Sequence, residues 1–71
     1  MKVIEIKFDE CEVEAAETFF EEQSNFILFQ PMFAKKGFYV EDGGSCEELN
    51  LEAELEWGGF TTFSFGTMNI A

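Results

Sequence analysis

Carboxylates are the one kind of reactive side chain that this 71-residue sequence supplies in number and at regular spacing. Fifteen aspartates and glutamates stand against four lysines, giving a net charge of −11. Between Glu48 and Glu56 the acids fall on alternate positions, interrupted at Asn50. Read as a strand, this stretch buries Leu49, Leu51, Ala53, Leu55 and Trp57. It then presents Glu48, Glu52, Glu54 and Glu56 on one face, with alternate side chains about 6 to 7 Å apart. A second row appears on a helical plot, where Glu10, Glu14, Glu17 and Glu21 fall within about 60° of one another at 100° per residue. Rows of this kind attract cations and basic proteins and repel nucleic acid and anionic membranes.

Catalytic chemistry finds little to use. The chain has no histidine and no arginine, and Cys11 and Cys46 have no CxxC partner or evident base, so they read as two buried, reduced thiols. The loop Glu41-Asp42-Gly43-Gly44-Ser45 mixes carboxylates with glycines but lacks the ligand spacing of a calcium loop. No catalytic residue, metal site or cofactor is expected, and the chain does not read as an enzyme. Direct binding of nucleic acid is disfavoured as well, because it depends on the lysines and arginines that this sequence lacks.

These rows need a scaffold, and 71 residues allow one small domain spanning 1–71. Ten phenylalanines, Trp57 and Tyr39 supply the bulk that a short chain needs, since each aromatic buries on the order of 150 to 250 Å². Val3–Phe8 alternates as a first strand, with Ile4, Ile6 and Phe8 on one face. Asp9 and Glu12 form a capping-box pattern that opens a helix from Glu10 to Glu22. Phe26–Phe29 reads as a central strand limited by Pro31, followed by a strand at Met32-Phe33, a turn at Ala34–Gly37 and a strand at Phe38–Val40. The aromatics from Phe26 to Phe38 are expected in the core.

The strand ending at Trp57 then turns through Gly58, Gly59 and Phe60, pairing Leu55 with Phe63 and Ala53 with Phe65. A helix over residues 46–57 is the rival reading, since Ser45 and Glu48 form another capping-box pattern and Glu, Leu and Ala are good helix formers. Five alternating apolar positions favour the strand. The expected fold class is α+β: an antiparallel sheet of four or five strands packed on one amphipathic helix, in the order β-α-β-β-β-β.

The N-terminal residues lack the continuous apolar core of a signal peptide, and no segment reaches the roughly 20 apolar residues of a membrane span. A cytoplasmic protein without a membrane partner is expected. In size and charge the chain resembles the small acidic inhibitors of phages and mobile elements, such as DNA-mimicking anti-restriction, anti-CRISPR and repair-enzyme inhibitor proteins. That resemblance implies a basic nucleic-acid-binding host protein as partner, contacted by Glu10, Glu14, Glu17, Glu21, Glu48, Glu52, Glu54 and Glu56. The alternatives are an assembly module or homodimer with an acidic solubilising surface, in which Trp57 and Phe60 are exposed contacts, and an immunity-type protein that neutralises a cationic toxin.

Overall fold

The first strand, β1 (Lys2–Lys7), lies at the centre of the sheet and has apolar residues buried on both sides. Val3, Ile4 and Ile6 are all buried. β1 pairs antiparallel with β2 (Phe38–Glu41) and with β3 (Ser64–Asn69), giving a three-stranded sheet of order β2-β1-β3. Among the described residues two helices complete the order β-α-β-α-β: α1 (Glu10–Glu22) and α2 (Glu48–Trp57). The structure, a computed structural model, describes residues 1–23, 25–43 and 48–70; Cys46 and the end of the glycine loop lie outside them.

Residues paired across strands share a face, and the register sets Ile6 opposite both Phe38 and Phe65, and Ile4 opposite Val40. This face meets Ala16, Phe19 and Phe20 of α1 and Leu51 and Leu55 of α2 in one core, with Phe65 packed against it. On the other face, the segment before β2 folds over Tyr39. Its hydroxyl lies 2.6 Å from the Lys35 carbonyl, to which it donates, while along the outer edge of β2 Phe29 N–H donates to the Tyr39 carbonyl at 3.0 Å.

Four sequence-based expectations are corrected. Residues 48–57 are helical rather than extended. Phe26–Phe29 and Met32-Phe33 form no strands. Between them Pro31 has no N–H to donate to a ladder, and the Gln30 side chain takes over the local hydrogen bonding. Its amide lies 3.0 Å from both the Ala34 and Lys35 carbonyls, and its oxygen accepts from Gly37 N–H at 3.3 Å. The terminal hairpin is absent, because β3 pairs with β1 instead. Among the described residues the sheet therefore has three strands and the core two helices, not four or five strands and one helix.

The two glycines expected to turn that hairpin instead stop α2. Gly59 has φ +90°, its N–H donates to the Glu56 carbonyl at 3.0 Å, and Phe60 N–H donates to the Leu55 carbonyl at 3.1 Å. This is a Schellman stop, and the apolar contact that accompanies it is supplied by Phe60 and Leu55, both in the core. Gly58 is needed for close approach: a Cβ there would sit 2.7 Å from Cε1 of the buried Phe19.

Both glycines are therefore sensitive positions. Gly59→Ala should destabilise by about 1–2 kcal/mol through left-handed strain, and Gly58→Ala by about 1–3 kcal/mol through overpacking. Denaturant midpoints check this. Gly66→Ala, whose new Cβ would come no nearer than 3.9 Å to its neighbours, should unfold at no lower denaturant concentration than the wild type.

Candidate functional site

The α1 row forms because the helix has one face committed to the core and one left for solvent. Ala16, Phe19 and Phe20 are buried, while Glu10, Glu14, Glu17 and Glu21 are all exposed. Their spacing places neighbouring carboxylates on successive turns, and the row spans about 16 Å at 1.5 Å per residue. Glu17 also borders an open groove of about 650 Å³ that is lined in part by Lys7, Lys36, Phe8 and Leu28. Two of the four lysines thus lie on the flank of this row.

The α2 row is shorter than the strand reading implied. Glu48, Glu52 and Glu56 are exposed and recur every four residues, so they form one stripe with an axial spacing of about 6 Å. Glu54 departs from them. It is half-buried, and its carboxylate accepts Asn25 N–H at 2.9 Å, tying α2 to the segment that follows α1. Seven of the eight predicted site residues are exposed acidic side chains on two helices, without an ion pair among the described residues, and the eighth ties α2 to the segment after α1.

Few cations offset these rows. Among the described residues the ion pairs are Lys2–Asp42 at 3.4 Å and Lys7–Glu5 at 3.9 Å, and neither uses a row glutamate. Neither helix has a basic residue in its last turn, where the helix dipole favours cations. The negative field therefore projects outward from both helices.

Glu12, which no row includes, has a distinct role. Asp9 occupies the N-cap position of α1 but makes no side-chain cap, and the expected capping box does not form. The Glu12 carboxylate instead reaches residues 61–62, accepting Thr62 N–H at 2.9 Å, the Thr62 hydroxyl and Thr61 N–H. The Thr62 hydroxyl, followed by the Thr62 backbone N–H, holds the Glu12 carboxyl below its ordinary pKa. Tyr39 shifts the other way: burial, and then the nearby charge of Glu5, raise its hydroxyl pKa.

Exposed apolar side chains are the feature that sequence reasoning placed wrongly. Leu49 is 77% exposed and Trp57 79%, and Ala53 between them is exposed too, whereas Phe60 is buried. Phe33, expected in the core, is 98% exposed. Cys11 is an exposed free thiol rather than a buried one. A helical plot of residues 48–57 separates Leu51/Leu55 from Leu49/Ala53/Trp57, so the signal was available once the helix was accepted.

Among the described residues no group of three potential metal ligands converges, and no helix is long and apolar enough to cross a membrane. Comparison of the chain with family models, with curated proteins and with solved structures finds no match.

The Glu12 tie gives a pH signature. Because its pKa is lowered on folding, the carboxylate stabilises the fold above its ordinary value of 4.5, and this contribution disappears as pH falls through the lowered value. Glu12→Gln should melt below the wild type at neutral pH. The gap should close in acid, as read by thermal unfolding across a pH series.

Proposed function

We propose that this protein binds a basic nucleic-acid-handling protein and blocks it by presenting carboxylates where the target expects phosphates. The observation that carries this reading is the set of seven exposed row glutamates, none paired with a lysine among the described residues. An axial spacing of about 6 Å along α2 holds successive carboxylates on one helix face, where several can meet neighbouring cationic side chains at once. Lysines and arginines in a nucleic-acid groove form charge-assisted hydrogen bonds with carboxylates as they do with phosphates. Such steering accelerates encounter and is screened over about 8 Å at physiological ionic strength.

A second reading is self-assembly, and one observation favours it. β3 is the outer strand beside β1 and contains neither a charged residue nor a proline over Ser64–Asn69. Edge strands are ordinarily protected by such residues. The opposite edge is treated differently, since Phe29 N–H meets the Tyr39 carbonyl of β2. Edge-to-edge pairing of two β3 strands would make a homodimer with the acidic helices kept for solubility.

Affinity capture from host extract with a salt-gradient elution separates the two readings. Under the proposed function, wild-type protein retains a basic nucleic-acid-binding protein. Glu14→Lys/Glu21→Lys and Glu52→Lys/Glu56→Lys should each release it at distinctly lower salt, with at least a tenfold loss of affinity and an unchanged far-ultraviolet circular dichroism spectrum. Retention unaffected by either double reversal would refute charge mimicry. A dimer by sedimentation velocity that Thr67→Lys converts to monomer would establish the assembly reading instead.

A further inference from the structure

The α2 helix carries three stripes, of which the core uses one. Setting Glu48 at 0° and advancing about 100° per residue, Leu51 and Leu55 fall near 300° and 340°, the seam buried against the sheet and α1. Glu48, Glu52 and Glu56 occupy roughly 0–80°, and Leu49, Ala53 and Trp57 roughly 100–180°. The last three are all exposed, so an acidic stripe runs between the core seam and an unpartnered apolar stripe about 12 Å long. An isolated exposed leucine needs no explanation. Three apolar positions in register, ending in the only tryptophan of the chain, form a continuous surface of the kind that anchors partners.

We infer that this face of α2 seats a basic amphipathic helix of the partner protein, with Leu49, Ala53 and Trp57 receiving its apolar side chains and Glu48, Glu52 and Glu56 pairing with its lysines or arginines. The inference rests on the reading of the protein as a ligand for basic proteins, and specifies how part of that contact is made. Charge complementarity selects the occupant. A second copy packed on the same stripe would bring two acidic rows together within a pair of chains that each carry −11, and like charges so placed oppose association. Nucleic acid and anionic bilayers meet the same repulsion. A basic amphipathic helix satisfies both stripes at once, because its own i, i+4 periodicity matches that of α2.

Trp57 supplies the readout. Wild-type protein is titrated, in about 0.15 M salt, with a synthetic 18-residue leucine-lysine peptide patterned as an amphipathic helix. A permuted peptide of the same composition without helical periodicity is titrated in parallel. The expected result is a saturable blue shift of Trp57 emission, with the amphipathic peptide bound at least tenfold more tightly than the permuted one. Leu49→Asp and Ala53→Asp should remove that advantage, and the uncharged Leu49→Asn should reduce it. Circular dichroism confirms that each variant is folded. Equal binding of both peptides without a blue shift overturns the docking inference and leaves the charge reading intact. Failure of both peptides to bind removes both. A blue shift that grows with protein concentration alone, accompanied by dimer in sedimentation, assigns the stripe to a second copy and also overturns the inference.

Discussion

Five phenylalanine rings form a closed circuit, and the rest of the structure is arranged around it. Phe8 meets Phe38 (ring centroids 5.1 Å apart), Phe38 meets Phe20 (5.8 Å), Phe20 meets Phe19 (5.5 Å), Phe19 meets Phe60 (5.3 Å) and Phe60 returns to Phe8 (5.4 Å). Three of the five contacts are edge-on, at interplanar angles of 78–84°, the arrangement favoured by the ring quadrupole. The circuit joins the end of β1, the last turns of α1, the start of β2 and the residue that follows the α2 stop. A 71-residue chain has little surface to bury, and here a few large rings bind four segments that are distant in sequence.

That anchoring permits helices which would be poor on their own. Glu10/Glu14, Glu14/Glu17 and Glu17/Glu21 on α1, and Glu48/Glu52 and Glu52/Glu56 on α2, are like-charged neighbours, each unfavourable by roughly 0.2–0.5 kcal/mol. Most helical stability in proteins comes from packing an apolar face rather than from propensity. Phe19 and Phe20 on α1, and Leu51 and Leu55 on α2, provide that face here. Replacing alternate glutamates with lysines would relieve the repulsion without touching the core. The acidic rows are therefore a surface property that the fold tolerates, not one that it requires.

The bounds of α1 are legible in the sequence, because Asp9 stands at its N-cap and an apolar face recurs at a period of 3.6 residues, but the capping box read there does not form and Cys11 is exposed. β1 and β2 lie within a residue of the bounds that their apolar residues and the turn before β2 imply. α2 is ambiguous in sequence because leucines at 49, 51 and 55 satisfy alternation as well as two separate helical stripes, and periodicity cannot choose between them. The choice is made elsewhere in the chain: β1 takes β3 as its partner over six residue pairs, from Lys2–Asn69 to Lys7–Ser64. Such long-range pairing leaves no local mark, and neither does the reach of Glu12 to Thr62. The glutamates of the candidate site were identifiable by type alone, but the departure of Glu54 from its row depended on knowing that α2 is a helix.

The change from strand to helix alters what the acidic surface can do. A strand would have hidden every apolar residue from Leu49 to Trp57 behind a wall of four carboxylates, leaving a purely electrostatic face. The helix exposes carboxylates and apolar side chains next to each other. These act over different ranges: charge attracts at distances near the screening length of about 8 Å, whereas apolar contact requires that water be expelled at the surface itself. Under the proposed function, the rows on α1 and α2 bring a basic target near in many orientations, and the stripe from Leu49 to Trp57 favours the one in which apolar groups also meet. An acidic face alone cannot discriminate among the many basic proteins of a cell. Discrimination has to come from a feature with shape, and on this molecule the exposed stripe of α2 adjoins the charge that would deliver a partner to it.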